Sequence, residues 1–82
     1  MLFMDVHRHM KGLTKEQLAE AHRRDLELQA PEGVKFVKAW GDPISGCVFC
    51  LAEGPNREAV ARVHAKAGHP ADEIHEVPLV IE

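Results

Sequence analysis

Hydrophobic spacing along this chain switches from period two to period 3.6 and back, twice, and that order constrains the fold more than any other feature. Residues 2–9 alternate, with Leu2, Met4 and Val6 on one side and Phe3, Asp5, His7 and His9 on the other, as in a half-buried strand. Thr14-Lys15-Glu16-Gln17 is a capping box that opens a helix running to Gln29, stopped by Ala30-Pro31-Glu32-Gly33. Val34 to Trp40 is a second strand, Asp42-Pro43-Ile44-Ser45-Gly46 a hairpin loop, and Cys47 to Glu53 a third strand. Asn56 caps a second helix that ends at Lys66 or Ala67, with Gly68 just beyond. A last strand spans Ile74 to Ile81, and Pro78 marks it as a sheet edge.

Two right-handed split βαβ units in the order β-α-β-β-α-β predict a ferredoxin-like sandwich: a four-stranded antiparallel sheet with both helices on one face. Residues 1–82 then form one domain with a small core, the kind that leans on a metal, a disulfide or a partner subunit. The uncovered sheet face would carry Trp40, Phe36 or Phe49 and the Asp5/His7/His9 row. No third layer is available to cover it, so a homodimer is expected.

The helices carry polar residues where apolar ones belong. On the first, Leu18, Ala21, His22, Asp25, Leu26 and Leu28 share one arc; on the second, Val60, Val63, His64 and Ala67 do. The halves rhyme, Leu18-Ala-Glu-Ala21-His22 against Val60-Ala-Arg-Val63-His64, so a pseudo-two-fold would bring His22 and His64 towards each other.

Composition removes several classes of function. A net charge of −3 with scattered Lys and Arg excludes a nucleic-acid surface, which needs a basic patch. No apolar run spans a bilayer and Leu2-Phe3-Met4 is too short for a signal core, which fits a soluble cytoplasmic protein with no membrane partner. Two cysteines make no disulfide scaffold.

Cys47-x-x-Cys50 matches zinc-knuckle and thiol-redox spacing, but three residues along a strand span roughly 10 Å and point to opposite faces. If Val48, Cys50 and Ala52 face the helices, Cys50 lies under His22 and His64. Two readings then stand side by side. One is a transition-metal site of thiolate and imidazole ligands with Asp25 as a further or supporting ligand. The other is an ordinary core with a buried free Cys and hydrogen-bonded histidines. Asp5, His7 and His9, at spacing two, offer a second place for a metal or a polar strip at a subunit interface. His69, past the helix end, suits a C-terminal capping role. A small dimeric enzyme or ligand-binding module of the α/β-barrel type, with a pocket of His22, Asp25 and His64, is the alternative; no oxyanion hole, phosphate loop or cofactor fingerprint supports it.

Phe-Met-Asp5-Val-His7-Arg, Ala-His22-x-x-Asp25-Leu, Ala-Trp40-x-Asp-Pro, Val-Phe-Cys50-Leu-Ala-Glu-Gly-Pro and Val-His64-x-x-Ala-Gly68-His69-Pro-Ala-Asp-Glu-Ile together resemble a family of small actinobacterial nickel-binding proteins with a domain of unknown function. The resemblance covers nearly the whole chain. It implies a dimeric ferredoxin-like sandwich that binds Ni2+ and serves in nickel sequestration or tolerance, with no known catalysis. Carried over by position, the candidate ligands are Asp5, His7, His22, Asp25, Cys50, His64 and His69. Zn2+ and Cu2+ are alternatives, since copper outcompetes nickel at most mixed-donor sites and zinc lies close to it.

Overall fold

The computed structural model of the chain describes residues 1–82. Its elements are β1 (Leu2–His7), α1 (Lys15–Leu28), a single 3-10 turn (Ala30–Glu32), β2 (Lys35–Asp42), β3 (Cys47–Glu53), α2 (Arg57–Ala67) and β4 (Glu73–Glu76). The strands form one antiparallel sheet in the order β2-β3-β1-β4, which is the expected ferredoxin-like arrangement.

Local chemistry sets the helix boundaries. The Thr14 hydroxyl accepts from the Gln17 amide at 3.1 Å while the Gln17 side chain accepts from the Thr14 amide at 3.0 Å, so the capping box closes both ways. Asn56 accepts from the Ala59 amide at 2.9 Å to start α2, and Gly68, in the left-handed region, ends it. Gly41 lets α1 come down onto the sheet: a Cβ there would lie 2.9 Å from a Leu13 methyl carbon and 3.3 Å from one of Leu18.

The core lies between the sheet and α2, built on Phe3, Phe36, Val48, Cys50, Ala52, Val60 and Val63. As expected, Val48, Cys50 and Ala52 face inward on β3. The inward row of β1 is the opposite of the expected one: Phe3, Asp5 and His7 point under the helices and are buried, rather than standing on the open face. The alternation was right and its polarity was not, because two polar residues of this strand are inside.

A bulge between Phe36 and Lys38 adds a residue to β2, so Phe36 and Ala39 both fall opposite inward-facing residues of β3, while Trp40 lies opposite Phe49 on the open face. β4 is shorter than expected. Val77 still donates to Leu2 at 2.9 Å, but Pro78 has no amide to continue the ladder, and Leu79 and Ile81 are exposed. Leu26, expected on the apolar arc of α1, is also exposed.

Candidate metal centre

Four side chains from three elements meet beneath α2. Asp5 and Cys50 are direct cross-strand partners, and the row Ala39–Cys50–Asp5–Ile74 runs across the whole sheet. His7 follows one inward position along β1, and His64 descends from α2 onto all three. One donor atom from each of Asp5, His7, Cys50 and His64 lies within 4.8 Å of every other, and all four residues are buried. His64 belongs to a second group as well, with Asp25 of α1 and His69, again within 4.8 Å. His69 reaches it because the left-handed turn at Gly68 folds the chain back on the end of α2.

The hydrogen bonds form a chain. His64 Nε2 lies 2.8 Å from Asp5 Oδ2 and its Nδ1 lies 3.1 Å from Asp25 Oδ1, which also meets His69 Nε2 at 2.9 Å. Burial by itself disfavours an imidazolium at His64. The bonds to Asp25, Asp5 and Cys50 outweigh it and hold its pKa at about 11. The same bonds act in reverse on Asp5 and Asp25: burial raises a carboxylate, but the neighbouring histidines bring both below the usual range. Burial dominates at Cys50 and pushes its thiol up to about 11. Without a metal, therefore, a proton on His64 balances buried carboxylates and the Cys50 thiol is neutral.

Two atoms in this core are left over. His7 Nδ1 faces the Pro70 carbonyl at 3.2 Å, which assigns the ring proton to that nitrogen and turns the Nε2 lone pair inward. His7 Nε2 then approaches Asp5 Oδ1 to 2.9 Å, an ion-pair contact without the alignment of a good hydrogen bond, and neither atom has another partner. A proton or a metal ion shared by the two atoms would satisfy both, and a buried imidazole oriented by a carbonyl on its far side is how metal-binding histidines are held. The donor set of one carboxylate oxygen, one thiolate and two imidazoles suits Ni2+, Zn2+ or Cu2+.

Among the sequence-derived candidates, Asp5, His7, Cys50 and His64 come together, and Asp25 with His69 forms the adjoining group. His22 joins neither. Its Nδ1 is buried and without a partner, and it lines a small cavity instead of meeting His64 as the internal rhyme suggested. The His22–Asp25 pair of the enzyme alternative does not form, because Asp25 spends its contacts on His64 and His69. His69 does more than cap α2. Its amide bonds to the His64 carbonyl at 3.1 Å while its ring holds Asp25. The Pro70 carbonyl could not be anticipated, since it depends on the path of the chain after Gly68. Both cysteines are free: Cys50 is buried and Cys47 is half-buried beside the Arg8 guanidinium.

No helix is long and apolar enough to cross a membrane. Comparison with curated proteins gives no match. Among solved structures, the crystal structure of SCO4226 from Streptomyces coelicolor A3(2) is 58% identical, covers 99% of this chain and 100% of its own, and superposes with a TM-score of 0.98. The family model described as "Nickel responsive protein SCO4226-like" matches residues 3–77. The chain belongs to the SCO4226-like family of nickel responsive proteins.

Proposed function

We propose that this protein binds Ni2+ as cargo, in sequestration or tolerance, through Asp5, His7, Cys50 and His64. Asp25 and His69 orient His64 from behind. The observation that carries the reading is the buried convergence of one donor atom each from Asp5, His7, Cys50 and His64 within 4.8 Å of one another, with His7 Nε2 and Asp5 Oδ1 at 2.9 Å and without other partners. To take up the metal, His64 would give up its Nε2 proton and Cys50 its thiol proton, while the other proton stays on His64 Nδ1, which donates it to the Asp25 carboxylate. That carboxylate–imidazole–metal relay raises the basicity of the ligand. Two unpaired thiols fit a reducing cytoplasm.

Calorimetric titration of chelator-stripped protein with Ni2+ is expected to give saturable binding. In Asp25→Asn the amide no longer anchors His64 as a carboxylate does, and affinity should fall about 10- to 100-fold. Absence of heat, with no metal found by elemental analysis, would refute the reading. Equal affinity in Asp25→Asn would remove Asp25 from it.

The protein acts as a homodimer in this proposal. Trp40 and Phe49, paired in register and each more than a third exposed, are supported by partly exposed Met4 and Leu51 on the same open face. Light scattering at micromolar concentration should report twice the 9.1 kDa chain mass, and Trp40→Glu should bring it to the monomer. A wild-type monomer would contradict this part alone.

A further inference from the structure

Beyond Glu76 the chain keeps the composition of a strand, yet nothing in the subunit pairs with it. Leu79, Val80 and Ile81 form an unbroken apolar run, with Leu79 92% and Ile81 98% exposed. Single exposed apolar residues are ordinary, but three in a row on a small domain call for a covering surface. From residue 79 to 82 no backbone group takes part in a backbone hydrogen bond. Both flanks of β1 are taken, by β3 and β4, and Met1, next along that strand, gives its carbonyl to the Gly54 amide at 2.9 Å. At the opposite edge of the sheet, β2 is open. Its Phe36 amide bonds the Gln29 side chain at 2.8 Å, and from residue 37 to 41 no backbone group bonds to anything outside β3. Val37 and Trp40 are exposed along this free stretch.

We propose that residues 79–82 of one subunit dock as an extra antiparallel strand on the free edge of β2 in its partner, so that each subunit completes the other's sheet. The proposal rests on the homodimer above, in which the two open faces pack together. Packed sheets lie about 10 Å apart and the chain from Val77 to Glu82 extends to roughly 20 Å, so the segment reaches. Pro78 supplies the bend, at the corner where a strand passes from one packed sheet to the other. Side-chain parity and charge set the direction. Trp40 and Lys38 both stand on the open face, with the Lys38 ammonium 5.3 Å from the Trp40 ring centre. In an antiparallel pairing Leu79 lies beside the partner's Trp40, Ile81 beside the stem of the partner's Lys38, and Glu82 approaches the partner's Lys35. A parallel pairing would bring Glu82 to the partner's Asp42, and like charges would oppose it. Main-chain hydrogen bonds give such an added strand its affinity, and the alternate side chains give it register. Docking also closes an edge that would otherwise template aggregation.

Amide hydrogen exchange, followed residue by residue on the full chain, tests this docking. In the wild-type dimer, alternate amides among residues 79–82 should exchange at least about tenfold more slowly than in an unstructured peptide of that sequence. In the monomer made by Trp40→Glu they should exchange at the unstructured rate. Dimers mixed from one isotope-labelled and one unlabelled subunit should show magnetisation transfer between Ile81 of one subunit and Lys38 of the other. The double variant Leu79→Asp/Ile81→Asp changes two side chains that are exposed in the single subunit, so the subunit fold is kept and the dimer should weaken about 100-fold. A wild-type dimer in which residues 79–82 all exchange at the unstructured rate would overturn the proposal and leave the homodimer standing. So would a double variant that dimerises as tightly as the wild type, or transfer from Ile81 to β4 of the other subunit instead of β2. A monomeric wild type would defeat both.

Discussion

His64→Ala is expected to abolish nickel binding and to lower the melting temperature of the metal-free protein by about 15–30 °C. His64 is fully buried, lies between two buried carboxylates and packs with its ring centroid 4.7 Å from that of Phe36. Removing one partner from a buried charge pair costs on the order of 3–5 kcal/mol because the other partner is left uncompensated. In a domain of this size each kcal/mol moves the melting point by about 4–8 °C. The variant should also respond less to acid. Asp5 keeps only His7 and Asp25 only His69, so loss of the His64 bonds raises both carboxylates towards their unfolded values and less stability is lost as pH falls. Thermal melts from neutral to mildly acidic pH check both points. A drop of only a few degrees would mean that His64 is not the charge that holds these carboxylates in the core.

Nickel affinity should rise about 100-fold per pH unit between pH 7 and 8, because uptake displaces both the His64 and the Cys50 protons, each held with a pKa of about 11. The metal-free protein should move the other way. His64 is raised from 6.5, so its contribution to stability is complete below 6.5 and is lost as pH rises towards 11. Asp5 and Asp25 are lowered from 3.8, so their contribution is complete above 3.8 and is lost as pH falls through their folded values. Together these groups make the metal-free fold most stable between about pH 4 and 6.5. Above that window the stripped protein should soften while the nickel-loaded protein gains on it. Titrations at several pH values, in buffers of different ionisation heat, count the protons released. A pH-independent affinity, or release of no protons, would show that the metal does not displace His64 and Cys50.

Much of the fold was legible because caps, turns and periods agree with one another. Thr14 with Gln17, Asn56 and Gly68 each mark a helix end by a hydrogen bond or a left-handed turn that only a few residue types provide. The polarity of β1 was not legible for a physical reason. Pattern reading places Asp5 and His7 towards solvent, whereas here the carboxylate and imidazole face inward to meet His64. A local rule broken inside an otherwise consistent sequence is what a functional site looks like. In β2 the bulge changed which residues face in, and no residue near Val37 announces it.

The candidate site was half-visible. Cys50, Asp25 and His64 followed from strand parity and helical arcs. His22 was placed with them by the same arc, but His64 meets Asp5 and Asp25, and the second imidazole of the four comes from β1 as His7. Arcs give the face of a helix and not its height above the sheet, and that height decides which histidine reaches the carboxylates.

In the proposed site nickel sits on the thiolate of Cys50 within this cluster. A thiolate bound to Ni2+ gives a charge-transfer band in the near ultraviolet that imidazole and carboxylate ligands do not. Stepwise addition of Ni2+ to stripped protein should raise this band until metal and chain are equimolar. The band should persist in Cys47→Ser and vanish in Cys50→Ser. A band that disappears with Cys47, or nickel bound with no such band in the wild type, would contradict the account and move the site away from the buried core.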